Sequence, residues 1–226
     1  MEIHILVYRE TELTQARRAD IRHRILEAAR GLVAAGGFGA VQMSDVARAA
    51  DVATGTLYRH FPAKPLLFAE VFRIAAGAEV EHVRAIAEAP GEPGSRLTGA
   101  ILQFTRRAAR GRRLAYSLIA EPVDPAIEAE RLVFRRAYDT VFRRLIQEGM
   151  DAGVFFSEDP SVASASIVGA LAEALVGPLA PEARLDADAV EARAHAMAAF
   201  CLRALSARRP TPCIVNRGED HADRKL

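Results

Sequence analysis

Around Thr54 the chain places Thr54, Gly55, Thr56, Tyr58, Arg59 and His60 about two apolar residues, Leu57 and Phe61, that stand four apart. Hydroxyls, a guanidinium, an imidazole and an aromatic face are the groups that position a protein on phosphates and read base edges in a major groove. Leu57 and Phe61 share one helical side, and Pro62 ends the helix by clashing with continued helical geometry. Upstream, Val46, Ala47 and Ala50 give a shorter helix its apolar side, Asp51 interrupts it, and Val52 begins a second hydrophobic contact. Two short helices meeting across a tight turn are the form of a helix-turn-helix.

Other chemistry leaves no comparable mark. GGFG at 36–39 is Gly-rich, but no GK[ST] follows it and no strand precedes it, so it reads as a helix stop and not as a phosphate loop. Cys201 and Cys213 are too few for a disulfide framework or a four-ligand zinc site. The His residues are scattered, and no nucleophile and base pair stands out. The expectation is no catalytic residue, no metal and no cofactor. Glu121, between the apolar LIA and Pro122, is either a helix-end carboxylate or a group that faces a pocket.

A chain of 226 residues with 50% hydrophobic content can bury a substantial core. Its net charge of +1 gives no global sign of nucleic-acid binding, so any such footprint must be local. One is present: Arg17, Arg18, Arg22, Arg24, Arg30, Arg48, Arg59 and Lys64 outweigh Asp20, Glu27, Asp45 and Asp51. No apolar run approaches the ~20 residues of a membrane span, and the first ten residues are too interrupted by charge for a secretory signal. The reading is a cytoplasmic protein without a membrane partner.

The elements that carry these residues are helices. Residues 1–15 show no helical period and are expected to be a disordered arm. From Ala19 or Asp20, Ile21, Ile25, Ala28, Ala29, Leu32 and Val33 recur at threes and fours, until Gly36 and Gly37 supply a left-handed C-cap and Phe38 turns back to the core. After Pro62 a long helix can bury Leu67, Phe68, Val71, Phe72, Ala75, Ala78, Val83 and Ile86, up to the APGEPG loop at 89–94. Ser95 is placed to cap the next helix, and Leu114 to Ala120 form a short one. Pro125 suits the first turn of a helix running to Met150. There Ile127, Phe134, Tyr138, Val141, Phe142, Leu145 and Ile146 make one stripe, and Arg131, Arg135, Arg136, Arg143 and Arg144 read as solvated faces. Asp159 or Ser157 can cap a helix rich in small residues, and a last helix spans Ala187 to Leu205. Residues 207–226 are polar, aperiodic and expected to be disordered.

From Asp45 to Val71 the sequence DVARAADVATGTLYRHFPAKPLLFAEV strongly resembles the TetR family of transcriptional repressors, and RRADIRHRILEAARGLVAAGGFGAV extends the likeness upstream. Three positions depart from the family's pattern: Gln42 and Ala53 stand where Ser or Thr often caps a helix, and Asp51 stands where the turn usually has Gly. Asp tolerates the left-handed conformation better than most residues, whereas each weaker cap costs about 0.5–2 kcal/mol unless Ser44 or Thr54 caps from a shifted start.

The resemblance implies an all-α fold: a helix-turn-helix DNA-binding domain over 16–63, then a helical effector-binding and dimerisation domain over 64–206. It implies a repressor that binds a palindromic operator as a homodimer and is released by a small, largely apolar effector. The DNA-binding set would be Gln42, Met43, Ser44, Thr54, Gly55, Thr56, Tyr58, Arg59, His60 and Lys64, the last on a phosphate. Phe72, Phe104, Tyr116, Phe134, Tyr138 and Glu121 are candidates for the effector pocket, although aromatics at helical spacing are also the pattern of ordinary core. Ala163, Gly169, Ala170, Ala196 and Phe200, on the last two helices, are candidates for the dimer contact. The alternative is a helical-bundle enzyme or carrier whose N-terminus only looks like a DNA reader.

Overall fold

The structure, a computed structural model, describes residues 12–157, 159–184 and 186–206. Residues 12–15 of the expected disordered arm are instead helical, the first turn of a helix; residues 1–11 and the expected tail from 207, with Cys213, lie outside the described residues. Among the described residues there are nine helices and no strand. Helix α1 spans Glu12–Gly36, α2 Met43–Ala49, α3 Thr54–His60 and α4 Lys64–Ala87; α5 spans Pro93–Arg110, α6 Arg112–Ile119 and α7 Pro125–Asp151; α8 spans Pro160–Leu179 and α9 Ala187–Ser206.

Local chemistry explains most of the boundaries. Gly37 ends α1 at φ 85° and Gly153 follows α7 at φ 69°, both in the left-handed region where a Cβ is costly. Asp124 and Asp159 cap α7 and α8, their carboxylates accepting from Ala126 N and from Ser161 N and Val162 N. Pro125 and Pro160 then occupy first-turn positions where a missing N–H is harmless. Two starts differ from expectation. Helix α1 begins at Glu12, ahead of Ala19, because nothing between them breaks a helix even though the polar run shows no period. Helix α5 begins at Pro93, with Glu92 and not Ser95 at the cap position, since the proline is already pre-set for a first turn.

Two apolar clusters divide the interior. One gathers α1, α2, α3 and the first half of α4 around Ile25, Val33, Phe38, Leu57, Phe68 and Phe72. The other joins the second half of α4 to α5, α7, α8 and α9 around Leu97, Ile101, Phe142, Ile146 and Leu171. Helix α4 runs through both, and Phe134 of α7 packs against both. Val80 is buried in α4, whereas Ala78, expected inside, is exposed. Arg131 corrects the reading of α7. It is 8% exposed and lies inside, while Arg135, Arg136, Arg143 and Arg144 are exposed as expected.

Candidate DNA interface and effector cavity

The turn between α2 and α3 is fixed by backbone bonds. Val52 N donates to Ala47 O at 3.0 Å and Asp51 N to Arg48 O at 3.2 Å, the paired bonds of a Schellman ending, with Asp51 at φ 52° in the place that glycine favours. Arg24 of α1 donates Nη2 to the carbonyls of Ala50 (2.5 Å) and Asp51 (2.9 Å), tying the turn to the first helix. Helices α2 and α3 have Gln42 and Ala53 at their cap positions with no side-chain cap bond, so neither Ser44 nor Thr54 rescues a start. Packing carries these seven-residue helices, through Val46, Ala47 and Leu57.

The outer face of α3 holds what the sequence suggested. Thr54, Gly55, Tyr58 and Arg59 are exposed, and Thr56 and His60 are half-buried. Gln42 and Ser44 are exposed beside them. Met43 is a correction, because it is 7% exposed and packs into the first cluster, out of reach of a groove. Lys64 opens α4 with its ammonium 5.5 Å from the ring centroid of Phe68. The basic surplus is smaller than the count of arginines: Arg22 pairs with Glu70, Arg30 with Glu27 (2.7 Å) and Arg48 with Asp45 (2.6 Å), and Arg24 holds the turn. Arg17 and Arg59 have no ion pair with a described residue. Burial, then the charges of Arg18, Arg22 and Arg59, lower the pKa of His60, which favours a neutral ring at pH 7.

A cavity of about 120 Å³ lies between α4, α5, α6, α7 and α8. Phe72, Phe104, Phe134 and Tyr138 line it, with Leu118 and Ile119 of α6 on another wall. Tyr116 and Glu121 do not. Tyr116 lies under the Arg113 guanidinium, 5.9 Å from ring centroid to Cζ.

Glu121 is buried and committed to the backbone, accepting from Phe38 N at 3.1 Å and from Gly39 N at 2.9 Å. Arg113 donates to Gly36 O at 2.5 Å on the same turn. Arg131 supplies the other hold on α6, donating to Leu118 O (2.9 Å), Ser117 O (3.3 Å) and Glu121 O (2.7 Å), carbonyls that a helix end leaves open. Arg112 likewise bonds Leu179 O and Pro181 O past the end of α8. Sequence reasoning missed this clamp, and its only trace was a Glu between an apolar run and a proline.

The N-terminal arrangement matches the profile of "Bacterial regulatory proteins, tetR family" over residues 25–71, and residues 90–175 match "Tetracyclin repressor-like, C-terminal domain". The "HTH-type transcriptional repressor KstR" of Mycolicibacterium smegmatis is 34% identical over 152 residues, 65% of this chain and 72% of that protein. The chain belongs to the TetR family. This TetR-type protein is a transcriptional repressor with a helix-turn-helix. Its fold is shared by the fatty acid degradation regulator FadR from Bacillus halodurans, with a TM-score of 0.70, 24% identity and coverage of 83% of this chain and 97% of that one. FadR from Bacillus subtilis, in complex with stearoyl-CoA, gives a TM-score of 0.69 at 20% identity, over 80% and 97% of the two chains.

The candidate dimer residues of the repressor lie on the open side of α8 and α9. Gly169, Ala196 and Phe200 are exposed, Phe200 by 57%, while Ala163 and Ala170 are half-buried. Contrary to the expectation that no apolar run reaches such a length, helix α8 is the single described helix long and apolar enough to cross a membrane, at mean hydropathy 1.7, and the chain buries just 28% of it.

Proposed function

We propose that this repressor acts in the cytoplasm as a homodimer on a palindromic operator, performs no catalysis, and is released by a small, largely apolar effector in the cavity between α4 and α8. The observation that carries the release is the double attachment of α6, which walls the cavity with Leu118 and Ile119 and grips the α1–α2 turn through Arg113 and Glu121. An apolar cavity of about 150 Å³ holds one benzene ring, and the cavity here, about 120 Å³, is of that order. A larger effector, of which the stearoyl-CoA held by B. subtilis FadR is an extreme, fills the cavity by displacing its walls, α6 among them. The clamp then carries that push to the end of α1, which packs against α2, and through α2 to α3.

A second contact runs in parallel. Phe72 stands 6.1 Å from Phe38, beside the gripped turn, and 6.0 Å from Phe134, on the cavity wall. Because the operator fixes the spacing of the two recognition helices, about 34–36 Å for successive grooves, an effector that prefers another spacing lowers affinity by its differential binding. The weakly buried α8 supports the dimer, since a soluble protein covers so apolar a helix with something, and a second copy offers an identical surface.

The test begins with recovery of genomic fragments bound by the full chain. Tight binding to one palindromic sequence, lost on scrambling it and restored to the unbound state by an apolar compound, is the expected result. Equal affinity for operator and scrambled duplex at every salt concentration would overturn the reading.

A further inference from the structure

Among the largely apolar residues of the cavity wall, α4, α5 and α7 bring together a polar cluster. Glu79 and Arg107 close a two-pronged ion pair, with Arg107 Nε 2.7 Å from Glu79 Oε2 and Nη2 2.8 Å from Oε1. Both side chains line the cavity, and so does Tyr138, whose ring meets Phe104 edge-on with centroids 5.6 Å apart. Burial chiefly, and then the Glu79 carboxylate, raise the pKa of the Tyr138 phenol, so it remains protonated and able to donate. No described residue hydrogen-bonds the Tyr138 hydroxyl. Arg96 Nε is the single fully buried side-chain polar atom without a partner among the described residues. The Tyr138 hydroxyl is equally unpartnered, on a residue that lines the cavity together with Glu79 and Arg107.

We infer that Tyr138, beside the Glu79–Arg107 pair, is the cavity's recognition point for an uncharged oxygen, a hydroxyl or carbonyl, on an otherwise apolar effector. The inference rests on the effector reading above. Tyr138 donates to either kind of oxygen, and the Glu79 carboxylate keeps lone pairs free to accept from a hydroxyl. A pure hydrocarbon leaves the Tyr138 hydroxyl unpaired and gains nothing from it. A carboxylate must shed its water beside Glu79, where Arg107 is already engaged, so its desolvation goes uncompensated. The other cationic wall residues do not alter this balance: Arg131 is engaged by carbonyls and Glu128, and Arg135 is exposed to solvent.

The experiment measures, by calorimetric titration of the full chain, the affinities of toluene, benzyl alcohol, benzaldehyde and benzoate, each near the size of one ring. In the wild type the alcohol and aldehyde are expected to bind about three- to tenfold tighter than toluene, one net hydrogen bond's worth, with benzoate weakest. In Tyr138→Phe the ratio of aldehyde to toluene affinity should fall to about one, and Glu79→Gln should bring benzoate closer to toluene. An unchanged ratio in Tyr138→Phe, or benzoate binding tightest in the wild type, overturns the inference while leaving the effector cavity standing. Failure of all four probes, toluene included, overturns the cavity reading itself and this inference with it.

Discussion

Gly37 shows how one residue carries both local and distant constraints. At φ 85°, an added Cβ would lie 2.4 Å from Arg113 Nη2 and 2.6 Å from Glu121 Oε2. Gly37→Ala is therefore expected to lower stability by at least ~2 kcal/mol, from backbone strain and a displaced clamp, measurable by urea unfolding. His60 carries a pH prediction. A histidine whose folded pKa is lowered stays neutral in the native state, whereas the unfolded chain takes up a proton below about pH 6.5. Its contribution is thus neutral above that pH and destabilising as pH falls through it, fully so below the folded pKa. His60→Gln should flatten the decline of melting temperature between about pH 6.5 and 5. On the DNA face, Lys64→Ala should reduce the slope of log affinity against log salt by about 0.9. Thr54→Ala is expected instead to change base preference at one base pair, by about 1–3 kcal/mol.

At the scale of the element, α6 is the part whose environment exceeds its length. Its eight residues are too few to be stable alone, and it persists because Arg112, Arg113, Arg131 and Glu121 fasten both ends to α8, α1 and α7. Glu121→Gln replaces one accepting oxygen by an amide nitrogen and so orphans the N–H of Phe38 or Gly39. The expected loss is about 1.5–3 kcal/mol, the range for a hydrogen bond to a charged group. If α6 transmits occupancy, the same variant should bind effector yet release operator less completely. Release equal to wild type, with the stability loss present, would confine the clamp to a structural role.

For the whole molecule, the dimer prediction turns on what the protomer does not contain. An added Cβ at Gly169 meets nothing within 4 Å in its own chain. Gly169→Leu should therefore leave the protomer's melting little changed, since it also removes a helix-weakening glycine. Against a second copy it overpacks a close contact at about 1–3 kcal/mol per subunit. Sedimentation should show a shift toward monomer at micromolar concentration, with operator affinity falling in step. A wild-type monomer that binds its operator fully would refute the interface.

The sequence by itself determined the parts of this protein that depend on neighbours within a turn or two. Pro62, Gly37, Gly153, Asp159 and the left-handed Asp51 set helix ends through sterics and short-range hydrogen bonds, and apolar spacing oriented Leu57, Phe61, Phe72 and Phe142 inward. That sufficed for the all-α fold and the outward face of α3. The tertiary structure alone decided which charges are free. Arg24 and Glu121 show no partner in the sequence, and find theirs in the distant turns that carry Asp51 and Phe38. Arg131 likewise differs from Arg135 in the carbonyls and the Glu128 carboxylate it meets. Periodicity also cannot separate core from cavity, because it reports that a side chain points inward and not whether atoms or empty space await it. Leu145 and Tyr138 lie on one stripe of α7, yet the packing of α4, α5, α6 and α8 around them buries Leu145 in the core and leaves Tyr138 lining a cavity.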